Sequence, residues 1–400
     1  MALPRVDIVI AGRNEARHLA SCLRALQSQD YPGASIQIFV VDNNSTDDTA
    51  KIAREHGVQV LQQGKPGAAS ARNAGIAAGQ GELVGFLDAH CIVNRVWVRA
   101  LAAAFEDIDD DNAQIGGVQA RIESRADDAR VERYLRETND WSNERILDDT
   151  VSGRKNLYPW LLSGNSMFRR SALREAGGFN EGLLSCEDVE LSWRVVLLGY
   201  QLRYVDEAQA VHFDGNSWRG FLRKGAVYAR GSADLVRLYA NHGAQSKFAP
   251  SPFWMGNWAR SRMGLGYRAS YMLKNARLDL GLDKAPRRAP VSMKDAFRPR
   301  FLWAHENSIE YSMQISTDAI YWFRGENETV VVQVQSRQRL VLNGVSDFIW
   351  RQLARSANRA DIATALSEHY AIALSVALAD LDGFVEELMA AQVLLRTRKN

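Results

Sequence analysis

The 400-residue sequence predicts an α/β fold followed by a second, smaller α+β domain. The first observation is that short apolar runs alternate, in the first half of the chain, with segments whose apolar residues recur at helical spacing. The second is that the residues from about 300 onward contain two strand-like runs followed by helical stripes. Alternating strands and helices are typical of a mainly parallel sheet with right-handed crossovers. Since the chain is longer than one typical domain, we expect two or more domains.

The composition is that of an ordinary soluble protein, with 46% hydrophobic and 24% charged residues. A net charge of +2 gives no reason to expect a nucleic-acid partner. The three cysteines, Cys22, Cys91 and Cys186, lie far apart without a CxxC pair, which argues against a zinc site or a disulfide framework. Charges follow the N-terminus too soon for a signal peptide, and no apolar run reaches about 18 residues. We therefore expect a soluble, cytoplasmic protein without membrane association.

The strands of the first half are predicted from apolar runs, and the helices from spacing and capping residues. Predicted strands cover residues 6–10, 36–41, 58–61, 83–87, 113–118 and 202–205. The first helix follows residues 11–15 and is expected to be capped by Asn14. A capping-box spacing at residues 45–48 opens the second helix, and residues 71–75 begin the third.

Two potential metal ligands, Asp88 and His90, stand directly after the apolar run of residues 83–87. Because Asp88 and His90 are only two positions apart, both side chains can face one ion if the strand breaks between them. An oxygen and an imidazole ligand suit Mn²⁺ or, with less affinity, Mg²⁺. The alternative is an Asp that caps the next helix beside a surface His. Asp42 also follows a strand, and in parallel sheets ligands bind beyond the carboxyl ends of the strands.

Five short motifs, in their order and spacing, resemble family-two glycosyltransferases with the GT-A fold. They are residues 40–47 (VVDNNSTD), 71–75 (ARNAG), 86–90 (FLDAH), 177–179 (GGF) and 186–191 (CEDVEL). The resemblance covers roughly the first 220 residues and implies a Rossmann-like domain that binds a nucleotide sugar. Many relatives have DxD where this chain has Asp88-Ala89-His90. The His variant is similar to the polypeptide N-acetylgalactosaminyltransferases, which hints at a peptide acceptor.

The resemblance implies a set of donor-binding residues and a metal centre. Asp42 would accept hydrogen bonds from the uracil or ribose of a UDP-sugar, and Arg72 would hold the Asp88 loop or the diphosphate. The other expected nucleotide-sugar-binding residues are Ala11, Arg13, Asn14, Glu15, Asn44, Asp88, Gly164 and Asn165. Gly164 would permit close approach to the donor sugar, and Asn165 would hydrogen-bond one of its hydroxyls. For Arg72 the alternative is an ordinary charge on a helix surface.

A second chemical centre is expected at Glu187 and Asp188, where a helix begins. A helix N-terminus favours the ionised carboxylate that a general base needs. In the family the second of these acids deprotonates the acceptor, which implies inversion at the anomeric carbon. The alternative is a pair of helix-capping acids. His212 resembles a third metal ligand beside Asp88 and His90, although a lone His is more often structural.

The C-terminal region predicts a small winged-helix domain, with strands at residues 330–335 and 339–342 and three helices. Residues 342–350 (LNGVSDFIW) and 379–388 (ADLDGFVEEL) resemble the PqqD-like family, whose members recognise leader peptides of ribosomally made, modified peptides. A leader would add as a strand to an exposed sheet edge. A packing domain, a DNA-binding domain and a module for another protein are the alternatives. The acidic helices oppose DNA binding.

The sequence thus divides into a catalytic domain (1–240), a helical extension and linker (241–299) and a PqqD-like domain (300–400). It predicts a metal-dependent, inverting glycosyltransferase that moves a sugar from a UDP-sugar to Ser, Thr or Cys of a precursor peptide. Tethering through the last domain would raise the local concentration of the peptide. The competing hypotheses are a transferase acting on a lipid or saccharide, and a non-catalytic peptide-binding scaffold.

Overall fold

The computed structural model describes, in the N-terminal half, residues 3–106, 114–127, 129–131, 160–213 and 217–239. In the C-terminal part it describes residues 300–304, 310–316, 319–323, 328–333, 335–336, 338–354 and 358–397. These residues divide into two compact units, one extending to Leu235 and one beginning at Val236. The predicted helical extension and linker, residues 241–299, lies outside the described residues.

The N-terminal half contains eight strands and seven helices among its described residues. The strands are β1 (Val6–Gly12), β2 (Ile36–Asp42), β3 (Gln59–Gln62), β4 (Leu83–Leu87), β5 (Cys91–Val93), β6 (Ile115–Arg125), β7 (Asn165–Arg169) and β8 (Gln201–Phe213). The helices are α1 (Ala16–Gln27), α2 (Thr49–Glu55), α3 (Ala68–Ala78), α4 (Trp97–Ala103), α5 (Arg170–Ala176), α6 (Glu187–Leu197) and α7 (Trp218–Leu238), with a 3₁₀ turn at Gly33–Ser35.

All eight strands form one sheet in the order β3-β2-β1-β4-β7-β6-β8-β5. The first four strands of that order are parallel, as are β6 and β8, whereas β7 and β5 run antiparallel to their neighbours. Alternate residues point to opposite faces: Ile8 and Ile10 pack with α1, α2 and α4, and Val9 packs with α3, α5 and α6. Because helices cover both faces, the strands are almost continuously apolar, and the predicted α/β class is confirmed.

The strand that contains His212 is longer than predicted. The sequence predicts a strand at residues 202–205, but β8 continues without a break to Phe213. The exposed acids Asp206 and Glu207 lie in its middle, where its register with β6 shifts between Ala120 and Arg121. Such an irregularity lets a strand continue through polar residues, so the polar stretch is not a loop.

The starts of α1 and α2 also differ from the prediction. We expect Asn14 to cap α1, but Glu15 occupies the N-cap position and provides no side-chain cap. Instead, Ala16 N donates to Asp47 Oδ2 at 3.1 Å, and Thr49 N donates to Asp47 Oδ1 at 3.0 Å. The Asp47 carboxylate therefore accepts hydrogen bonds from the first turns of both α1 and α2. A capping-box pattern, which concerns one helix start, does not reveal this shared acceptor.

The C-terminal unit has six strands and three helices among its described residues from 300 onward. They are β9 (Arg300–Ala304), β10 (Glu310–Ile315), β11 (Ala319–Phe323), β12 (Glu328–Gln333), β13 (Gln338–Asn343), α8 (Gly344–Leu353), α9 (Arg359–Tyr370), α10 (Leu374–Ala390) and β14 (Leu394–Thr397). The strands form two antiparallel sheets, β14-β10-β9 and β11-β12-β13. A single core joins sheets and helices, and it includes the fully buried Trp350, whose ring meets Tyr321 edge-on.

The strand pair and three helices predicted for this region are confirmed as β12, β13 and α8 to α10. The prediction missed β9, β10, β11 and β14. Each is short, and β14 pairs with β10, which is distant from it in the sequence. Of the described helices, none is long and apolar enough by itself to cross a membrane. The pair α9 and α10 meets those criteria only when combined across a bend of 119°.

Candidate active site

The end of β4 meets the residue that precedes β7, and this contact positions Asp88. Asp88 N donates to the carbonyl oxygen of Gly164 at 3.0 Å, and Cys91 N donates to Asp88 O at 2.9 Å, closing a tight turn. A Cβ atom at position 164 would lie 2.3 Å from Asp88 Oδ2. The close approach at Gly164 is therefore made by the Asp88 carboxylate, and only glycine leaves room for it.

The pairing of β5 with β8 brings together two histidines that are distant in sequence. Cys91 pairs with His212, and Phe213 N donates to His90 O at 3.1 Å. As a result, His90 Nε2 lies 3.1 Å from His212 Nε2. Asp88 Oδ2 lies 4.0 Å from His90 Nε2 and 3.7 Å from His212 Nε2. The three predicted metal ligands thus converge on one point.

The chemistry of these three donor atoms fits a divalent cation. A cation with bonds of about 2.1 Å holds adjacent ligand atoms about 3 Å apart, close to the shortest of the observed spacings. One carboxylate oxygen and two imidazole nitrogens suit Mn²⁺. When both rings are neutral and carry their protons on Nδ1, both Nε2 lone pairs face the same centre. Within the described part of the chain, Asp88, His90 and His212 are the group of acidic, His or Cys side chains close enough to hold a metal ion.

The two oxygens of Asp88 have different neighbours. Oδ2 faces the imidazoles, and Oδ1 accepts a hydrogen bond from Arg72 Nη2 at 3.3 Å. Burial would raise the pKa of Asp88, but the neighbouring side chains of His212, His90 and Arg72 hold that pKa well below its usual range. The carboxylate is therefore ionised at neutral pH, as a metal ligand must be.

Arg72 links the loop of Asp88 to the start of α6. Its side chain is buried on α3, and Nη1 donates to Glu187 Oε1 at 2.7 Å. The guanidinium also lies over the ring of Phe179, 5.5 Å from its centroid. This burial rules out an ordinary surface charge and agrees with the expectation that Arg72 holds the Asp88 loop.

Asp188 lies in the first turn of α6, directly after Glu187, the residue that pairs with Arg72. Its Oδ1 accepts from Val189 N at 2.9 Å, and Oδ2 accepts from Ser163 N at 3.2 Å. A helix N-terminus alone predicts a lowered pKa. Instead, burial and the negative charge of Glu187 raise the pKa of Asp188 to about 6, outweighing Arg72 and the two N–H donors. A carboxylate with such a pKa is ionised at pH 7 and close to the best range for a general base.

The loops after β1 and β2 interlock at the same edge of the sheet. Asp42 is buried, and its Oδ1 accepts from Ser45 N at 3.2 Å. Asn14 N donates to Ser45 Oγ at 3.0 Å, and Asn14 Oδ1 accepts from Thr46 N at 2.8 Å. Asn14 has a φ of 60°, a left-handed conformation that Asn adopts more readily than most residues.

The other predicted nucleotide-binding residues border these loops in different ways. Ala11 lies within β1 and pairs with Val41, so the strand extends further than predicted. The Arg13 side chain is exposed, and Asn44 is exposed with its Nδ2 donating to Gly64 O at 3.0 Å. Glu15 lies instead beside His90, with Oε2 at 3.3 Å from Nδ1.

Sequence reasoning missed Asn43, which shapes the glycine-rich loop before α3. It is buried, its Oδ1 accepts from Gly67 N at 2.8 Å, and its Nδ2 donates to Gln63 O at 2.8 Å and Lys65 O at 2.7 Å. Gly67 has a φ of +122°, which explains the glycine there. The sequence signal for Asn43 is its position directly after Asp42.

Asn165 differs from its predicted role. Its side chain is fully buried, Oδ1 accepts from Trp97 Nε1 at 2.7 Å, and Nδ2 donates to the backbone oxygens of Ala120 at 3.0 Å and Arg121 at 3.1 Å. These partners occupy its amide group, so it is not placed to bind a sugar hydroxyl. It joins β7 to β6 and α4 beneath the residues that face the site.

Two known families match separate segments of the chain. The family described as glycosyl transferase family 2 matches residues 7–177, and the family described as coenzyme PQQ synthesis protein D (PqqD) matches residues 328–394. The first match includes Asp42, Arg72, Asp88 and His90. It ends before α6 and β8.

Several known proteins are similar to parts of the chain. Glycosyltransferase AglE of Haloferax volcanii is 28% identical over 216 residues, which are 52% of this chain and 67% of that protein. The pre-mycofactocin glycosyltransferase of Mycobacterium tuberculosis is 30% identical over 243 residues, 58% of this chain and 47% of that protein, so the chain spans about half of that relative. The mannosyltransferase PcManGT of Pyrobaculum calidifontis, solved with GDP-Man and Mn²⁺, has a TM-score of 0.45 and 20% identity over 71% of this chain and 82% of that one.

Proposed function

We propose that this chain, in which a family 2 glycosyltransferase domain is fused to a PqqD domain, transfers a sugar from a UDP-sugar to a side chain of a ribosomally made peptide. The observation that carries the transferase part is the convergence of Asp88, His90 and His212 at the sheet edge, together with Asp188 at the start of α6. The peptide part is supported by the PqqD match at residues 328–394. A cytoplasmic location belongs to the same proposal.

The donor binds across the carboxyl ends of β1, β2 and β4 in this proposal. Asp42 accepts hydrogen bonds from the ribose or base, and the interlocked loops of Asn14 and Asn44 border the base. Asp88, His90 and His212 would hold Mn²⁺ or Mg²⁺, which would supply positive charge opposite the diphosphate leaving group. Gly164 keeps the Asp88 carboxylate in place and Arg72 fixes its orientation.

Asp188 acts as the general base. A hydroxyl or thiol of the acceptor gives its proton to the Asp188 carboxylate as its oxygen or sulfur bonds to the anomeric carbon. The bond from that carbon to the phosphate oxygen breaks at the same time, and UDP leaves with the electron pair. Because the acceptor attacks opposite the leaving group, the configuration inverts. Glu187, expected from the sequence to be catalytic, is engaged by Arg72 and serves to position Asp188 and raise its pKa.

The peptide leader adds to the exposed edge of β13. This strand is the edge of the sheet β11-β12-β13, and its outward residues Arg339 and Val341 are exposed. Val345, at the start of α8, is also exposed and continues the apolar surface. Backbone hydrogen bonds supply affinity in such strand addition, and exposed apolar side chains supply specificity. Because the PqqD domain and the catalytic domain belong to one chain, leader binding keeps a weakly binding core peptide near the catalytic domain.

Hydrolysis of UDP-sugars tests whether the chain is an enzyme or a scaffold. We expect slow UDP release that requires Mn²⁺ or Mg²⁺, ends on addition of EDTA and is lost in Asp88→Ala. The matched control is Asp48→Ala, which removes an exposed aspartate of the loop after β2 and should leave the rate unchanged. A chain that binds peptide but releases no UDP from any common UDP-sugar would favour the scaffold hypothesis.

A further inference from the structure

The carboxylate of Glu15 lies against His90 on the side away from the other two ligands. Glu15 Oε2 is 3.3 Å from His90 Nδ1, whereas His90 Nε2 faces His212 and Asp88. Both side chains are 23% exposed, so the pair is largely shielded from water. The two nitrogens of this imidazole therefore have different partners, a carboxylate on one side and the proposed metal centre on the other.

The backbone holds Glu15 firmly at this place. Its amide donates to Thr49 Oγ1 at 2.8 Å, and its carbonyl oxygen accepts from His18 N and Leu19 N, both at 3.1 Å. The next amide, that of Ala16, is bound by Asp47. Glu15 thus stands at the junction of α1 with the loop after β2, and these bonds fix the position of its backbone.

This contact selects one tautomer of His90. A carboxylate accepts a hydrogen bond from Nδ1 only when Nδ1 carries the proton, and a neutral ring then has its lone pair on Nε2. A metal ligand needs that lone pair. In the opposite tautomer, Nδ1 and the Glu15 carboxylate would face each other without a proton between them. The geometry therefore favours the form of His90 that binds a metal.

We propose that Glu15 is a positioning residue of the metal centre, which acts by holding His90 in the Nδ1-protonated form with Nε2 directed at the ion. This inference rests on the metal site of the proposed function and replaces the expectation that Glu15 binds the nucleotide sugar. A carboxylate behind a metal-bound histidine raises the affinity of the site, and removing such a partner typically costs about 10- to 100-fold in metal affinity.

Two binding measurements on the full chain separate these roles. The first is Mn²⁺ affinity without nucleotide, read from the electron paramagnetic resonance signal of free Mn²⁺. The second is UDP affinity in the presence of EDTA. For Glu15→Met, which keeps the volume but removes the acceptor, we expect Mn²⁺ affinity to fall about 10- to 100-fold and metal-free UDP affinity to stay within about twofold. Glu15→Gln keeps an acceptor oxygen and should recover most of the Mn²⁺ affinity.

The exposed acid Glu55 on α2 provides the matched control, since Glu55→Met should change neither affinity. Imidazole ¹⁵N shifts of the metal-free wild type provide a second readout that needs no variant, and they should show His90 protonated on Nδ1. A wild type whose His90 carries its proton on Nε2 and none on Nδ1 would overturn the inference, even if Glu15→Met failed to fold.

The remaining outcomes distinguish this inference from the function on which it rests. If the wild type binds no Mn²⁺, the proposed metal site fails and the inference fails with it. If the wild type binds Mn²⁺ and Glu15→Met binds it equally well, the metal site stands and the role of Glu15 is wrong. If Glu15→Met loses UDP in EDTA but keeps Mn²⁺, Glu15 belongs to the base pocket.

Discussion

Arg72 Nη1 lies 2.7 Å from Glu187 Oε1, and this buried ion pair joins α3 to the first turn of α6. The same guanidinium reaches Asp88 on the other side of the site. The Arg72 side chain thus contacts both Asp88, the proposed metal ligand, and the helix that carries Asp188, the proposed general base. Its substitution should affect both the stability of the fold and the geometry of the site.

Replacing Arg72 by Met should destabilise the N-terminal unit by about 3–5 kcal/mol, because the buried Glu187 is left without its partner. The double variant Arg72→Met/Glu187→Met removes both charges and should recover a large part of that loss. Urea unfolding followed by tryptophan fluorescence measures both. Equal stability of wild type and Arg72→Met would show that the pair is not buried as described.

Transfer activity should fall as the pH drops below about 6, because the pKa of Asp188 is raised to about 6 by burial and by Glu187. Above that pH the carboxylate is ionised and accepts the acceptor proton. Below it the carboxyl is protonated, so kcat should decrease about tenfold for each pH unit. Rates are measured from about pH 5 to 8 with metal occupancy checked at each pH, because histidine ligands also compete for protons. A flat profile at full occupancy would exclude Asp188 as the base.

Gly164→Ala should reduce transfer about 100-fold, because the new methyl group displaces the Asp88 carboxylate, and a shift of about 1 Å in a reacting group has an effect of this size. The Cβ would lie 2.3 Å from Asp88 Oδ2. Gly33→Ala is the matched control, since a Cβ there meets no atom within 4 Å. Steady-state rates and thermal midpoints are compared for the two variants. The prediction is wrong if both retain wild-type activity.

Val341→Asp should weaken leader binding more than about tenfold, because it places a charge on the exposed apolar edge of β13. Hydrolysis of the UDP-sugar should not change. Leu395→Asp is the control, as it alters an exposed residue of β14 in the other sheet. Fluorescence anisotropy with labelled peptides encoded near the gene measures the affinity. A loss in Leu395→Asp alone would place the leader on the other sheet.

The sequence predicted the elements whose apolar pattern is strong and local. β4 ends at Leu87, as expected, because the run of residues 83–87 is apolar and Asp88 follows it directly. The helix at Glu187 was likewise predicted from its own residues. The strand β14 was missed because it is short and pairs with β10, which lies far from it in the sequence.

The role of a site residue was predictable where it follows from the position of that residue after a strand. The role was less predictable where a tertiary contact determines it. Asn165 was expected to bind sugar, but the indole of Trp97 occupies its amide oxygen. Glu15 was expected to bind the nucleotide sugar, but the turn at Asp88 places His90 beside the Glu15 carboxylate. Asp188 was expected to have a lowered pKa from the helix end alone, whereas burial and Glu187 dominate.

The most direct test of the central claim is the intact mass of candidate precursor peptides after incubation with the full chain, Mn²⁺ and each common UDP-sugar. The account predicts a gain of one hexose or one N-acetylhexosamine, which is absent with Asp188→Asn and reduced with Val341→Asp. Unmodified peptides together with metal-dependent hydrolysis of the donor would contradict the peptide acceptor and direct the search to saccharides or lipids.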